Sequence, residues 1–409
     1  THHASSAASD VYKRQQGIRV RLTVDTEVQK ACGKLLNDRA GSISVMDIYT
    51  GDIIAMYSSP SYDPNKFLFG ISNDDWALIR NNPLKPLVNK TLSGLYSPGS
   101  TIKPIVALSA LENKIVSPSF KVKCTGKMEL YGQTFHCWKE KGHGFVSLKN
   151  AMKQSCDTYF YEVARLLGVD RLNVTAEKFG LGKKVLGDYF DFEKSGLFPN
   201  TKWKINNLGK GWVLGETLIT GIGQGYTQTT PLQLCLMTAQ IANGGYSIKP
   251  RIIVDNNPMP LEEIKRKLKE ETLHTQEKKL FNDPRNIKIV QEAMFSSTNE
   301  LYGTSYKSRI DDPKYQFAGK TGTAQVKRIS MRERELDLKI EQIPYKDRDH
   351  ALYIAYGPYI NPRYALSIIV EHGGSGSRTA APIAKELFKL IIDRNDLRNK
   401  QKNFEEIKI

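Results

Sequence analysis

The sequence predicts an α+β fold whose sheet is assembled from strands near the two ends of the chain. Three observations support this class. Residues 42–57 have the alternation of a β-hairpin, with a turn at Thr50-Gly51. Three strand-like segments occur late in the chain, and the residues between these two groups are mostly helical in pattern. An amphipathic helix near each end could cover the assembled sheet.

The first part of the chain contains a short strand, a helix, the hairpin and a long loop. Arg21–Val24 is strand-like, and Thr26–Leu36 has an amphipathic pattern that Asp25 could cap. After the hairpin, residues 58–95 carry Pro and Asn-Pro turn signals that are typical of loops and short helices. They lead into a helix that begins at Ser100.

The middle of the chain is predicted to be mainly helical. Residues 114–144 are polar and irregular, whereas 147–167 are helical with a break at 155–157. Two further helices are predicted at 170–181 and 231–243.

The last part supplies three strands after a charged surface segment (250–284) and a helix (288–298). The three strands and the terminal helix are predicted at 317–326, 351–357, 364–371 and 380–392. The charged connection 327–348 is longer than an ordinary loop, so it is either functional or mobile, and its position suggests a lid.

Composition restricts the classes of function. The chain has 409 residues and a net charge of +16. Its lysines and arginines are dispersed and form no recognition module, so no nucleic acid is expected as a partner. No apolar run reaches about 18 residues, so no membrane span is predicted. Residues 1–16 resemble a tag-like leader and 395–409 a charged C-terminal tail, which leaves one predicted domain at 17–394.

The central motif is a serine and a lysine that lie three residues apart at the start of a helix. Ser100 follows the turn Pro98-Gly99, and Lys103 lies one turn further on the same face. A serine becomes nucleophilic when a base takes its proton, and a lysine whose pKa is lowered by burial or nearby cations can be that base. The alternative is that Ser100 is an ordinary helix cap and Lys103 is solvated. Taken by itself, this motif favours that alternative.

A second motif, Ser155-Cys156-Asp157, interrupts a predicted helix. Ser155 could relay a proton to a leaving amine. A plain helix cap formed by Ser155 and Asp157 is the alternative.

A third motif, Lys320-Thr321-Gly322-Thr323, lies on a predicted strand. Its ammonium and two hydroxyls could bind a substrate carboxylate, and Gly322 would let an acyl group lie against the strand. The N–H groups of Thr323 and Ser100 could together form an oxyanion hole.

Two nucleotide-binding alternatives fit poorly. Gly319-Lys320-Thr321 could belong to a phosphate loop, but Lys314 stands where that motif requires glycine. Residues 221–225 are glycine-rich, but they lack the third-glycine spacing of a dinucleotide fingerprint and are predicted to be a tight turn. The three motifs in this order favour acyl-serine catalysis.

The motifs and several longer strings resemble the penicillin-binding protein 2 family, the class B transpeptidases of bacterial cell elongation. The resemblance spans about residues 19–392 and is carried by the strings at 60–65, 96–104, 157–161, 221–226 and 319–326. Members carry Asp at the position of Asp157, where many relatives carry Asn. The family's cytoplasmic tail, membrane helix and pedestal are missing from the sequence, so we expect the chain to be a transpeptidase domain.

The resemblance implies a fold and a reaction. The fold is the penicillin-binding/β-lactamase-like one, with a central antiparallel five-stranded sheet covered by helices and an all-helical subdomain. The reaction is D,D-transpeptidation, in which Ser100, activated by Lys103, attacks the penultimate D-Ala of a peptidoglycan stem peptide. Lys320, Thr321 and Thr323 would hold the terminal carboxylate, and Ser155 would help to protonate the leaving D-Ala.

The resemblance also implies partners and a location. The stem-peptide amine of a neighbouring strand would accept the acyl group, and β-lactams would acylate the same serine. No cofactor is expected for catalysis. A membrane glycosyltransferase and elongation-complex proteins are implied partners, at the periplasmic face of the inner membrane.

Three cysteines and a histidine suggest a metal site. Cys124, Cys137, His143 and Cys156 could form a closed tetrahedral set for a structural zinc ion, and relatives include members with zinc near this place. A disulfide between the first two cysteines and buried inert thiols are the alternatives. His136 is a weaker alternative ligand. The other two cysteines, Cys32 and Cys235, are predicted to be core residues.

Other acyl-serine functions remain open at this point. A β-lactamase of class A would need a glutamate in a Glu-x-x-Leu-Asn string, which the sequence lacks, so slow deacylation is expected. A D,D-carboxypeptidase and a β-lactam sensor domain without transferase activity are the further alternatives.

Overall fold

The computed structural model describes residues 20–254, 260, 262–267, 279–327 and 340–406. The predicted leader at 1–16 and the middle of the predicted lid, 328–339, lie outside the described residues.

Most of the helices lie in the middle of the chain, between the two groups of strands that form the main sheet. In chain order the elements are α1 Thr26–Leu36, β1 Gly41–Asp47, β2 Ile53–Ser59, α2 Asn73–Arg80, α3 Lys90–Ser93, α4 Lys103–Glu112, β3 Lys121–Cys124, β4 Lys127–Leu130, β5 Gln133–His136, β6 Gly144–Ser147, α5 Leu148–Lys153, α6 Asp157–Leu167, α7 Val169–Lys178, α8 Thr201–Leu208, α9 Leu214–Gly221, α10 Pro231–Ala242, α11 Pro284–Asn299, β7 Ala318–Ala324, β8 His350–Gly357, β9 Tyr364–Val370 and α12 Ala381–Glu406.

The hairpin and the three late strands form one antiparallel sheet, as predicted. The strand order is β2-β1-β9-β8-β7, so the first and last parts of the chain meet where β1 pairs with β9. Every residue of β1 and β9 is buried, because helices cover both faces of the sheet. The third motif lies on β7, at an edge of this sheet.

The two helices predicted to cover the sheet pack together on one face. Helix α1 buries Val28, Cys32 and Leu36 there, and its N-terminus is capped by the Asp25 carboxylate, as predicted. Helix α12 contributes Leu387 and Phe388 to the same cluster and continues beyond the predicted end at residue 392. On the opposite face, α10 is buried along its whole length and packs against β9.

The predicted α+β class is confirmed, but two local predictions are wrong. Arg21–Val24 is not a strand, since Leu22 makes only an isolated bridge to Ile253. Residues 114–144 are not irregular throughout, because four short strands pair there and just beyond, β3 with β6 and β4 with β5. The helical region is therefore not all-helical.

Those small sheets bear on the site because one of their strands leads into the second motif. Strand β6 runs directly into α5, and the break between α5 and α6 contains Ser155. No helix among the described residues combines the length and apolarity needed to cross a membrane.

Candidate active site and candidate metal centre

Ser100 lies in a single 3₁₀ turn, Gly99–Ile102, immediately before α4. Gly99 has a φ of +52°, and its N–H donates to the Gly223 carbonyl at 2.9 Å. A Cβ atom at position 99 would lie 2.4 Å from the Thr323 carbonyl oxygen, so a side chain is excluded there. The glycine therefore lets the Ser100 turn pack directly against β7.

Lys103 is fully buried and has three oxygen partners. Its Nζ lies 2.7 Å from Asp157 Oδ1, 3.0 Å from the Ser155 carbonyl and 3.2 Å from Ser155 Oγ. An ammonium group out of contact with water needs such partners, because burial of an unpaired charge is very unfavourable. The first and second motifs, 52 residues apart, are thereby joined.

Lys320 approaches the same serine from the sheet. Its Nζ lies 2.8 Å from Ser155 Oγ and 3.0 Å from the Thr321 carbonyl. Burial lowers the pKa of Lys320 well below its usual value, and the charge of Lys103 lowers it further. All three motifs thus converge on one hydroxyl group.

Ser155 is positioned for proton exchange. Its Oγ accepts hydrogen bonds from the Nζ atoms of two lysines, which leaves its own proton available to donate to a third group. The residue has a φ of +54°, which is uncommon for a side chain other than glycine. Such strain is often found at functional sites.

The rest of the third motif faces the Ser100 turn. A Cβ atom at Gly322 would lie 2.6 Å from Thr101 Cγ2, so only glycine permits this approach. Thr323 is exposed, and its carbonyl accepts a hydrogen bond from Gln224 Nε2 at 3.1 Å. Thr321 is mostly buried, and its hydroxyl bonds to Thr304 Oγ1 at 2.9 Å.

Three residues that contact the motifs were not singled out from the sequence: Gln224, Thr304 and Trp138. The backbone N–H of Trp138 donates to Asp157 Oδ2 at 3.0 Å, and its indole N–H donates to the Ser155 carbonyl at 3.1 Å. The sequence offered one indication that Trp138 belongs to the site, which is its position next to Cys137 in the cysteine-rich segment.

The four predicted metal ligands come together. The ligand atoms of Cys124, Cys137, His143 and Cys156 all lie within 4.8 Å of one another. All five cysteines are free thiols, so the disulfide alternative is not formed. His136 is not part of this group, and Cys32 and Cys235 are buried in the core, as predicted.

The donor set fits zinc. His143 Nδ1 lies 3.5 Å from Cys124 Sγ and 3.6 Å from Cys137 Sγ. Tetrahedral zinc bonds of about 2.3 Å to sulfur and about 2.0–2.1 Å to nitrogen place these two ligand types about 3.6 Å apart. Hydrogen bonding from Cys156 lowers the pKa of Cys137 well below its usual value, which favours the thiolate that a metal needs.

The cluster lies directly behind the motifs. Cys156 separates Ser155 from Asp157 and is fully buried, with its side chain in the cluster, as expected from its position. The thiol of Cys124 donates to Thr158 Oγ1, and the two atoms lie 3.3 Å apart. A bound ion would therefore tie the loop carrying Cys137 to the start of α6.

Comparison with known proteins identifies the family. The model of the penicillin binding protein transpeptidase domain matches residues 41–389. The chain belongs to this family. Peptidoglycan D,D-transpeptidase MrdA of Salmonella typhimurium is 35% identical over 381 residues, covering 92% of this chain and 59% of that protein. For MrdA of Escherichia coli K12, the identity is 34% over 386 residues, covering 93% and 58%.

Solved structures agree. PBP2 of Pseudomonas aeruginosa, in complex with WCK 5153, has a TM-score of 0.78 and 38% identity, covering 91% of this chain and 78% of that one. PBP2 of Helicobacter pylori, in complex with MreC, has a TM-score of 0.76 and 30% identity, covering 91% and 64%. The predicted resemblance to the PBP2 family is thereby confirmed. The chain spans about three-fifths of the length of the curated relatives it matches.

Proposed function

We propose that this chain is the catalytic part of a peptidoglycan D,D-transpeptidase that acts in bacterial cell elongation. One observation carries the proposal: Lys103 and Lys320 both donate to Ser155 Oγ, and Lys103, which directly follows the turn that carries Ser100, also pairs with Asp157. The family supplies the reaction class, and relatives named MrdA are peptidoglycan D,D-transpeptidases.

The first step would be acylation of Ser100. Its Oγ attacks the carbonyl carbon of the penultimate D-Ala, and Lys103, acting as the base, accepts the serine proton. The oxygen of the carbonyl group becomes an oxyanion, which the N–H groups of Ser100 and Thr323 would stabilise. The packing of Gly99 against Thr323 supports this pairing, since it brings the two backbone segments together.

Loss of D-Ala completes that step. The C–N bond breaks, and the leaving nitrogen takes a proton from Ser155, which regains one from Lys103. The distance of 3.2 Å between Lys103 Nζ and Ser155 Oγ supports this route. The charged end of the substrate would lie against Lys320 and the hydroxyls of Thr321 and Thr323.

The second step would be transfer to an amine. The side-chain amine of a neighbouring stem peptide attacks the acyl carbonyl carbon, and the ester bond to Ser100 Oγ breaks. The proton that the amine loses returns to Ser100 Oγ through Ser155 and Lys103, which leaves the cross-link as a new amide bond. β-Lactams, whose carbonyl and carboxylate resemble those of the stem peptide, would acylate Ser100 without such an acceptor.

A structural zinc ion is part of the proposal. Cys124, Cys137, His143 and Cys156 would hold it, and four protein ligands leave no position for substrate. The ion would cross-link the loop that carries Trp138 to the segment that carries Ser155. Nδ1 of His143 would be the ligand atom, because it is the ring nitrogen beside the sulfur atoms. The other ring nitrogen, Nε2, is buried and has no hydrogen-bond partner.

The proposal also covers the cellular setting, which the relatives support. We place the chain at the periplasmic face of the inner membrane, with a membrane glycosyltransferase and elongation-complex proteins as partners. The complex of PBP2 with MreC in Helicobacter pylori supports an elongation partner.

A transfer assay tests the proposed reaction. The chain is incubated with a thioester mimic of an acyl-D-Ala-D-Ala stem and with D-alanine as acceptor, and the products are separated by mass spectrometry. Formation of the aminolysis product by the wild type, but not by Ser100→Ala, is expected. Exclusive hydrolysis would instead assign a D,D-carboxypeptidase.

A further inference from the structure

Thr304 lies behind the third motif and joins three elements. Its Oγ1 is 2.9 Å from Thr321 Oγ1 and 3.1 Å from Ser297 Oγ of α11. Its backbone N–H donates to the Lys153 carbonyl at 3.1 Å, at the end of α5 and two residues before Ser155. Thr304 therefore bonds to α5, α11 and β7 at once.

The turn around Thr304 is tightly constrained. Gly303 packs so closely that a Cβ atom there would lie 2.4 Å from the Ser297 carbonyl. Tyr302, just before it, has a φ of +68°. The next residue, Ser305, donates its backbone N–H to the same Ser297 carbonyl at 3.0 Å. These contacts fix the position of the Thr304 hydroxyl relative to β7.

The direction of the hydrogen bonds gives Thr304 a role. The Thr321 hydroxyl donates to Thr304 Oγ1 in the structure. A carboxylate only accepts hydrogen bonds, so Thr321 must turn its proton toward an anionic substrate. Thr304 can then donate to Thr321 and accept from Ser297, because in this second pair either hydroxyl can be the donor. All three hydroxyls stay paired in both states.

We propose that Thr304 is a positioning residue that orients the Thr321 hydroxyl toward the carboxylate of the acyl donor. This inference rests on the proposed function. Thr304 itself acts through Thr321, so its contribution should depend on the carboxylate and on the presence of Thr321.

The test compares acylation of the chain by benzylpenicillin and by its methyl ester. Second-order rate constants are measured by intact mass for the wild type, Thr304→Val, Thr304→Ser, Thr321→Val and the double Val variant. The ratio of the two rate constants reports recognition of the carboxylate alone. Thr298→Val is the matched control. Thr298 lies on α11, and its buried hydroxyl bonds to Ser305 and Tyr353 rather than to Thr304 or Thr321.

The loss of one hydrogen bond is expected to lower the carboxylate-to-ester ratio about fivefold in Thr304→Val. Thr304→Ser should stay within about twofold of the wild type, because it keeps the hydroxyl. In the Thr321→Val background, Thr304→Val should produce no further fall, since the two residues act as one unit. Thr298→Val should lower the melting temperature without changing the ratio.

An unchanged carboxylate-to-ester ratio in Thr304→Val would overturn the inference. So would a double variant whose ratio falls by the product of the two single-variant effects, because the two residues would then act independently. If Thr304→Val does not fold, Thr304→Ala must show the same ratio change. A Thr321→Val variant with a wild-type ratio would refute this inference and leave acylation of Ser100 in place, whereas a wild type that is not acylated would refute the proposed function as well.

Discussion

The Asp157 carboxylate is the clearest place to perturb the site, because both of its oxygens are used. Oδ1 accepts from Lys103 Nζ at 2.7 Å, and Oδ2 accepts from the Trp138 N–H at 3.0 Å. An amide of the same shape has one acceptor and one donor. Asp157→Asn must therefore leave either Lys103 or the Trp138 N–H facing an NH₂ group.

The structure sets the size of the effect. Hydrogen bonds to charged groups contribute about 1.5–3 kcal/mol, and breaking a buried ion pair costs about 3–5 kcal/mol. Lys103 keeps its two contacts with Ser155, so we expect Asp157→Asn to lower the free energy of unfolding by about 2–4 kcal/mol. An unfolding entropy of roughly 2.1 cal/mol/K per residue over 409 residues converts this to a melting temperature about 2–5 °C lower.

Thermal unfolding followed by tryptophan fluorescence, with both proteins at the same pH and metal content, measures the change. Asp75→Asn is the matched control, because Asp75 pairs with Lys66 at the exposed surface and should melt with the wild type. If Asp157→Asn also melted with the wild type, the carboxylate would not be the shared acceptor of these two donors.

Three further predictions follow from the same geometry. Removal of the proposed zinc ion by a chelator, or Cys156→Ala, should lower the melting temperature and slow acylation by a labelled penicillin. Full acylation rates in both cases would contradict the proposed bracing role of the ion. Burial lowers the pKa of Lys320, so the unfolded chain binds more protons than the folded chain at alkaline pH, and stability should rise there with pH. Lys320→Met should remove that rise in the alkaline range below the ordinary lysine pKa of about 10.4, and parallel stability curves would contradict the assignment. Gly322→Ala, whose Cβ would lie 2.6 Å from Thr101 Cγ2, should cost about 1–3 kcal/mol and reduce acylation at least tenfold; a wild-type acylation rate would show that β7 can move away.

Local patterns picked out residues that the structure brings together. The serine and lysine of the first motif are one helical turn apart, so their spacing alone indicates a shared face. The Asp25 cap and the turn after β1 also depend only on neighbouring residues, and the structure has both where they were expected. The α+β class followed from the period of the apolar residues.

Long-range contacts could not be read from spacing. Trp138 bonds to Asp157 across 19 residues and Thr304 bonds to Thr321 across 17. Neither pair has a repeat or motif that would indicate contact. Both depend on how turns place a side chain or an N–H group against another element.

The errors have a physical cause as well. Strands β3 to β6 are only four residues long and are partly exposed, so their apolar alternation is too brief to stand out from the surrounding polar segment. Arg21–Val24 has the residue pattern of a strand, but Thr23 bonds to Ile252. The segment therefore lies beside the β1–β2 hairpin and outside the ladder of the main sheet.

Intact mass after mixing with benzylpenicillin tests the central claim most directly. The wild type and Ser100→Ala are followed over hours in parallel. A persistent adduct of one penicillin per chain, absent from the variant, is predicted because the sequence supplies no glutamate string for deacylation. An adduct that clears within seconds would instead indicate a β-lactamase, and an adduct that persists in Ser100→Ala would show that Ser100 is not the nucleophile.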